Sequence, residues 1–183
     1  TLLRQILKEL NLDSKQFREK DLLWVIDQAK NKGQTSESFA QEASSFIEEI
    51  QAKVFDLYQK KLKASNAMDF NDLILNTVKL LEENKAVRLY YQQKFQYIHV
   101  DEYQDTNNIQ YQLVKLLAGM LNNLCVVGDS DQSIYGWRGA NMENILHFEA
   151  DYPNAKVILL EQNYRSTQMI LKAANSVIQN NRN

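Results

Sequence analysis

Cysteine, proline and glycine are scarce in this chain, and long apolar runs are missing. Its 183 residues include one cysteine, one proline and five glycines. A single cysteine excludes a disulfide framework within the chain, which favours a reducing, cytoplasmic location. No apolar stretch approaches the roughly 20 residues of a membrane span and no signal peptide is recognisable, so we expect no membrane partner. Cys125 itself lies in an apolar run, and we expect it to be a buried small hydrophobic residue.

A basic excess is also absent. The formal net charge is -2 at pH 7, so no global positive field indicates a nucleic-acid partner. Any nucleic-acid surface must therefore be local. Because 44% of the residues are hydrophobic and 24% are charged, the composition is that of a globular protein with one sizeable core or two small domains.

The first 85 residues have the periodicity of helices. They contain no proline and one glycine, and their apolar residues recur at helical spacing. Asp69 is a plausible N-cap, with Asp72 three residues later in the first turn. The pattern predicts helices over 2–10, 22–29, 36–64 and 70–81, followed by a polar link at 82–85.

From residue 96 onward the pattern alternates between strands and helices. Strands are predicted over 97–101, 124–129 and 156–160, a helix ending near Gly119 between the first two, a short helix over 141–148, and a last helix capped by Ser166 or Thr167. A strand, a helix and a strand in this order favour a right-handed parallel crossover. The fold class is therefore α/β, with a mainly helical subdomain.

Two adjacent acids follow the first predicted strand. Ligands bind outside the carboxyl ends of parallel strands, so Asp101 and Glu102 would lie at a catalytic edge. Asp101 can hold Mg²⁺ through its oxygens, and Glu102 can orient or deprotonate a water that attacks ATP. The alternative is an ordinary strand that ends in a solvated acidic turn.

The loop after the second strand carries three of the five glycines, which indicates a tightly shaped segment. Gln132 is a neutral donor and acceptor suited to sensing a γ-phosphate. Tyr135 and Trp137, with Arg138 beside them, are typical of a platform that stacks nucleic-acid bases. The alternative is that both rings are core anchors and that Arg138 forms a structural ion pair.

The third predicted strand is followed by Tyr164 and Arg165, just before a helix. Tyr164 could stack on a purine, and Arg165 could bind a terminal phosphate through its planar, permanently charged fork. The alternative is a tyrosine that packs the joint between strand and helix, with the arginine on an acid. Three polar clusters of complementary type, each at a strand end, favour a common site.

These clusters also resemble the motifs of a known family, the UvrD/PcrA/Rep-type superfamily I DNA helicases. The strings similar to its motifs II, III and IV are VDEYQDT at 100–106, VGD to RGA at 127–140 and LEQNYRST at 160–167, and MDFNDL at 68–73 is similar to its short acidic segment before motif II. The resemblance covers residues 66–180 in the right order. It implies a partial RecA-like (P-loop NTPase) parallel sheet.

The resemblance implies a role for each site residue. Asp101 would be the Mg²⁺ ligand and Glu102 the acid that activates water. Gln132 would contact the γ-phosphate of ATP, Tyr164 would stack on the adenine, and Arg165 would be an arginine finger. The residues that would face single-stranded DNA are Tyr135, Trp137 and Arg138.

In that family the enzyme moves 3′ to 5′ along single-stranded DNA and unwinds the duplex ahead of it. The expected function is thus an ATP-dependent DNA helicase in repair or replication, acting on single-stranded DNA and on junctions with duplex. The expected division is 1–85 for a helical subdomain similar to 1B, 86–155 for the distal part of domain 1A, and 156–183 for the start of domain 2A.

A phosphate-binding loop is missing from the chain. No G-x-x-x-x-G-K-[ST] occurs in it. We therefore expect a middle fragment, without the Walker A strand, that works with the rest of its own longer chain and does not hydrolyse ATP alone. Two other interpretations stay open: a helicase–nuclease subunit, and a non-catalytic nucleic-acid-binding module with a helicase-like fold.

Overall fold

The computed structural model describes residues 1–119 and 121–181. A mainly helical first part leads into a small parallel sheet flanked by helices. The elements are α1 (Leu2–Glu9), α2 (Glu19–Asn31), α3 (Ser36–Glu42), α4 (Phe46–Ala64), α5 (Phe70–Glu83), α6 (Lys85–Lys94), β1 (Ile98–Val100), α7 (Asn108–Ala118), β2 (Leu124–Val126), α8 (Glu143–Leu146), α9 (Phe148–Asp151) and α10 (Gln168–Ile178). Short 3-10 turns occupy 103–105, 130–132 and 136–138.

The prediction of one long helix over 36–64 is wrong, because residues 43–45 interrupt the helix between α3 and α4. Ala43 and Ser45 have extended backbones, and Ser45 caps α4 by accepting a hydrogen bond from the Glu48 N–H. The Glu48 carboxylate in turn accepts from the N–H groups of Ser44 and Ser45. A capping box ends one helix and begins another although the apolar spacing continues.

The polar link predicted at 82–85 is also wrong. α5 continues to Glu83, and α6 begins at Lys85. The single residue between them, Asn84, caps α6 by accepting a hydrogen bond from the Val87 N–H. A strong N-cap can begin a helix in a polar stretch that has weak apolar periodicity.

The N-terminal boundary of α5 is confirmed. The Asp69 side chain accepts a hydrogen bond from the Asp72 N–H at 2.9 Å, and Asp72 accepts from the Asp69 N–H at 3.2 Å. The predicted short helix over 141–148 is instead two single turns, α8 and α9. Thr167, one of the two predicted positions, occupies the N-cap of the last helix, but its side chain makes no capping hydrogen bond.

The main apolar core lies between α1, α2 and α4. Its buried members are Leu3, Ile6, Leu7, Phe17, Leu22, Ile26, Ala29, Ile50, Val54, Phe55 and Tyr58. These side chains recur at helical spacing on one stripe of each helix, which is what packs helix against helix. The helical region therefore builds a core from its own residues.

The first two predicted strands form the parallel pair that the sequence predicts. Ile98, His99 and Val100 pair with Leu124, Cys125 and Val126, and α7 connects the two strands. The pairing continues past the strands, where the Val127 N–H donates to the Val100 oxygen at 2.8 Å and the Tyr103 N–H to the Val127 oxygen at 2.9 Å. Both carboxyl ends therefore lie at the same edge of the sheet.

The burial predicted for Cys125 is wrong. Cys125 is exposed, as is its partner His99 on β1. One face of the sheet carries no covering layer in residues 1–119 and 121–181, so alternate strand residues point to solvent. An apolar run alone cannot tell a strand covered on both faces from one covered on a single face.

The third predicted strand, 156–160, is not a strand in the structure. The segment is free of regular structure, and its large apolar side chains Val157, Ile158, Leu159 and Leu160 are all exposed. A β-strand needs a partner for its backbone groups, and no ladder in the described part of the chain includes this segment. Among the described residues, no helix has the length and apolar character needed to cross a membrane.

Candidate functional site

The acidic pair lies directly at the end of β1, and both side chains are exposed. Glu102 has a left-handed backbone, with φ 50° and ψ 45°. A non-glycine residue adopts this conformation only when its surroundings hold it there, and such residues cluster at functional sites. The Glu102 N–H donates to Asp101 Oδ1 at 2.9 Å, which fixes the two acids relative to each other.

The Gln104 side chain connects the carboxyl ends of β1 and β2 through hydrogen bonds. It is buried, with 1% of the residue exposed. Its Nε2 donates to Glu102 Oε2 at 2.7 Å, and its Oε1 accepts from the Asp129 N–H at 3.1 Å. A Cβ on Gly128 would lie 2.7 Å from Gln104 Oε1, so glycine is required for this close approach.

The connection continues to Gln132. Asp129 Oδ2 accepts a hydrogen bond from Gln132 Nε2 at 2.7 Å, and Asp129 Oδ1 accepts from the Asp131 N–H at 3.0 Å. Glu102, Gln104, Asp129 and Gln132 thus form one continuous chain of hydrogen bonds. We call it the strand-end network. The expected proximity of the acidic pair and Gln132 has its structural basis here.

Sequence reasoning missed two members of this network, Gln104 and Asp129. Both lie inside the motif-like stretches, but neither residue type nor spacing distinguishes them from their polar neighbours. What identifies Gln104 is burial of a polar side chain with both ends of its amide bonded, and burial is a property of the fold. Tyr103, next to it, is fully buried against Phe148 with ring centroids 5.6 Å apart.

The carboxylates suit Mg²⁺ that is bound together with a phosphate ligand. No group of three or more His, Cys, Asp or Glu residues that could hold a metal occurs within 1–119 and 121–181. Mg²⁺ in nucleotide sites needs only one or two carboxylates, since phosphate oxygens and waters complete its shell. Asp101 fits this requirement, because one oxygen accepts from the backbone and the side chain is exposed at the strand end.

The second cluster is the aromatic loop, residues 135–139. The Arg138 guanidinium lies 4.5 Å from the centroid of the Trp137 ring and 5.0 Å from that of Tyr135. The two rings are tilted, with centroids 6.3 Å apart. Trp137 is 65% exposed, so it is not a core anchor in this chain, and Arg138 contacts aromatic faces without an acid partner among the described residues.

The third cluster does not join the other two. Tyr164 is 92% exposed, and Arg165 is exposed beside it. Asn163 Oδ1 accepts from the N–H groups of Arg165 and Ser166, both at 2.9 Å, which shapes the turn before α10. In the described part of the chain, no hydrogen bond or ion pair connects either side chain to the strand-end network.

Comparison with known proteins agrees with these motifs. A family model described as the UvrD/REP helicase N-terminal domain matches residues 1–153. The chain is 56% identical over 183 residues to the ATP-dependent DNA helicase PcrA of Bacillus subtilis, covering 100% of this chain and 25% of that protein. It is 55% identical over 181 residues to the PcrA helicase of Staphylococcus epidermidis and 54% to that of Staphylococcus aureus, in each case covering 99% of this chain and 25% of the relative. The chain spans about a quarter of the length of these curated relatives, and it belongs to the UvrD/REP helicase family.

Proposed function

We propose that this chain is part of an ATP-dependent DNA helicase and supplies part of its ATP site and of its single-stranded DNA surface. The observation that carries the proposal is the strand-end network, which connects the acidic pair to Gln132 through buried Gln104. Relatives named as ATP-dependent DNA helicases support it. The aromatic loop begins shortly after Gln132 along the chain, with Ser133 and Ile134 between them.

In this proposal Glu102 is the general base. Its carboxylate accepts a hydrogen bond from Gln104 Nε2, which holds one oxygen in place and leaves the other for a water proton. Asp101 would hold Mg²⁺, which would neutralise negative charge on the phosphate groups of a bound ATP. The left-handed backbone of Glu102, a strained conformation for a non-glycine residue, supports this role.

Gln132 is the proposed sensor of the γ-phosphate. Its Nε2 carries two N–H groups, and Asp129 Oδ2 accepts from this nitrogen. The remaining N–H can donate to a phosphate oxygen. If Gln132 shifts when it contacts the phosphate, the shift is passed to Asp129, whose backbone N–H donates to Gln104. The shift is also passed along the chain to the aromatic loop a few residues later.

The aromatic loop is the proposed platform for single-stranded DNA. The exposed ring of Trp137 offers stacking area to any base, and Arg138 adds positive charge beside the rings. Stacking is tolerant of sequence, as a motor that moves along any strand requires. We infer movement in the 3′ to 5′ direction, with junctions of single-stranded and duplex DNA as substrates and a cytoplasmic role in DNA repair or replication.

Tyr164 and Arg165 belong to the same proposal as groups that approach the nucleotide from a second domain. Tyr164 would stack on the adenine, and Arg165 would act as an arginine finger. Their exposure, and that of the apolar segment 157–160 before them, supports contact with the rest of a longer chain. The proposed division is 1–85, 86–155 and 156–183.

A strand-displacement assay on the full-length protein tests this function. Duplexes with a 3′ or a 5′ single-stranded tail are incubated with ATP and Mg²⁺, with ATP omitted as a control. We expect displacement on the 3′-tailed duplex that depends on ATP. Binding without hydrolysis or displacement would instead support the non-catalytic module, and degradation of the displaced strand would support the helicase–nuclease.

The isolated chain is expected to be inactive as an ATPase, because its sequence contains no G-x-x-x-x-G-K-[ST] loop to bind the phosphates. Phosphate release from the purified 183-residue chain measures this directly. Hydrolysis above background that disappears in a Glu102→Gln variant of the same chain would contradict this part of the proposal.

A further inference from the structure

The C-terminal end of α2 reaches across to the aromatic loop through one side chain. Asn31 Nδ2 donates a hydrogen bond to the Arg138 backbone oxygen at 3.1 Å, and Asn31 Oδ1 accepts one from Asn107 Nδ2 at 3.0 Å. The two partners lie 107 and 76 residues away along the chain. Both ends of the amide are therefore used, and it cannot turn over without losing both bonds.

The loop comes unusually close to Asn31. Gly139 has a positive φ of 87°, and a Cβ there would lie 2.8 Å from Asn31 Nδ2. A cavity of about 290 Å³ lies beside this contact, lined in part by Gln28, Lys32 and Gly136. Packing between the loop and α2 is incomplete at this cavity, so the amide contact is a constraint on the loop there.

The other partner, Asn107, belongs to the segment that follows the acidic pair. It caps α7, with its Oδ1 accepting from the Gln110 N–H at 2.9 Å. The preceding Thr106 oxygen accepts from the Asn141 N–H at 2.9 Å, just after the aromatic loop. Asn31 thus bonds to Arg138 inside the aromatic loop with one end of its amide, and to Asn107 in the segment after the acidic pair with the other.

The end of α2 is itself firmly held. Lys30, adjacent to Asn31, is fully buried, and its Nζ lies 2.6 Å from Asp69 Oδ2 and 2.7 Å from Asp72 Oδ1. These ion pairs fasten α2 to the start of α5. The position of Asn31 is therefore set by the packing of α2, and from it the side chain can hold the aromatic loop.

We propose that Asn31 is a positioning residue that holds the aromatic loop in the conformation that binds single-stranded DNA. Holding the loop in advance lowers the ordering entropy that DNA binding would otherwise cost. The inference rests on the proposed role of the aromatic loop. It assigns the helical region a part in DNA affinity through a residue that need not touch DNA.

The test uses Asn31→Asp in the full-length protein. The aspartate keeps the shape and can still accept from Asn107, but it cannot donate to the Arg138 oxygen and places a negative charge against it. The dissociation constant for an oligo-dT strand, measured by fluorescence anisotropy, is expected to rise about three- to tenfold. Asn76→Asp, an exposed asparagine on α5 without a contact to the loop, is the matched control and keeps wild-type affinity.

A split in kinetic constants separates positioning from general damage. The DNA concentration for half-maximal stimulation of ATP hydrolysis is expected to rise by the same factor as the dissociation constant. The kcat at saturating DNA should change by less than about twofold. A fall in kcat at saturating DNA, with no change in the DNA concentration for half-maximal stimulation, would overturn the inference. If the aspartate unfolds the protein, Asn31→Ala provides the same readout without the added charge.

A double-mutant cycle with Trp137→Ala distinguishes this inference from the proposed function. If Asn31 acts through the loop, Asn31→Asp adds little further loss of affinity once Trp137 is truncated. The same loss in both backgrounds contradicts the inference while leaving the proposed function intact. If Trp137→Ala itself retains wild-type DNA affinity, it is the proposed role of the aromatic loop that fails.

Discussion

The helical region and the strand-end region of this molecule use their side chains in opposite ways. α1, α2 and α4 bury their apolar stripes against one another and leave few polar groups inside. The strand-end region instead exposes its two adjacent acids, the Gln132 amide and the Trp137 ring, and buries the polar side chain of Gln104. One region derives its stability from apolar contact, whereas the other derives geometry from hydrogen bonds.

A buried aromatic residue lies directly beside the strand-end network. Tyr103 lies between Glu102 and Gln104, two members of the strand-end network, and it is fully buried against Phe148. Burial raises the pKa of the Tyr103 hydroxyl to about 12, so it stays neutral at physiological pH. The buried Tyr103 ring thus anchors the backbone that carries Glu102 and Gln104. A fixed backbone keeps the polar groups of a preorganised site in place.

The largest expected difference between the regions is in stability. Phe55→Ala in the core of the helical region should lower the free energy of unfolding by about 3–5 kcal/mol, because its side chain is 1% exposed. Leu160→Ala should change it by less than about 0.5 kcal/mol, because Leu160 is 82% exposed. Urea unfolding of both variants of the isolated chain measures this, and similar losses would remove the contrast between the regions.

Lys30 is a fully buried cation in the helical region, and its removal should lower the free energy of unfolding by about 3 kcal/mol. Lys30→Met keeps most of the volume but leaves the Asp69 and Asp72 carboxylates without their cation, and an uncompensated buried charge is strongly destabilising. Lys53→Met, at an exposed position of α4, is the control. A loss no larger than that of the control would show that the ion pairs are not needed.

The pH dependence of the same variant should change sign. Burial alone raises the pKa of the Asp72 carboxyl, but hydrogen bonds from Lys30 and Gln59 outweigh it and hold the pKa below the usual 3.8. The wild type therefore has this stabilisation above pH 3.8 and loses it as the pH falls further. Without Lys30, burial dominates and the pKa of the Asp72 carboxyl rises above 3.8, so the buried carboxylate destabilises the variant near neutral pH, and stability should increase as the pH falls towards 3.8. Thermal unfolding between pH 3 and 6 compares the two slopes.

A smaller effect, on binding, is expected at Trp137. Trp137→Ala in the full-length protein should weaken single-stranded DNA binding by roughly 1–3 kcal/mol with little dependence on base sequence. Its stability should change only modestly, since the ring is 65% exposed. Trp24→Ala on α2, where the residue is 60% exposed, is the matched control from the helical region. A large fall in melting temperature with unchanged DNA affinity would reject stacking.

The smallest effect is expected at Cys125. Because its side chain is exposed on β2, Cys125→Ser should change stability by less than about 0.5 kcal/mol. In the native isolated chain, the thiol should react with a thiol-specific reagent as fast as it does in urea. Protection that disappears only on unfolding would show that this face of the sheet is covered.

Local signals in the sequence predict most of the helices and the parallel pair. The Asp69 cap, the apolar run before Asp101 and the helix between the two strands act over a few residues and are confirmed. Two predictions fail where a cap competes with periodicity, at Ser45 and Asn84. Two more predictions fail where the outcome depends on contacts between residues far apart in sequence. These are the burial of Cys125 and the strand at 156–160.

The candidate site divides in the same way. Residue type and order predict Asp101, Glu102, Gln132 and the aromatic loop, and the resemblance to a helicase family supplies their roles, which stay proposals. The buried link through Gln104 and the contact from Asn31 depend on residues brought together from far apart in sequence. No pattern within a short window can reveal such pairs.

The most direct test of the central claim is Glu102→Gln in the full-length protein. The new amide oxygen can still accept from Gln104 Nε2, so the strand-end network and nucleotide binding should persist while the water loses its base. We expect the rate of ATP turnover to fall by about 10²–10⁴-fold with the dissociation constant for ATP nearly unchanged, and Glu83→Gln on the helical region to behave as wild type. Hydrolysis by Glu102→Gln at a near wild-type rate would contradict the account.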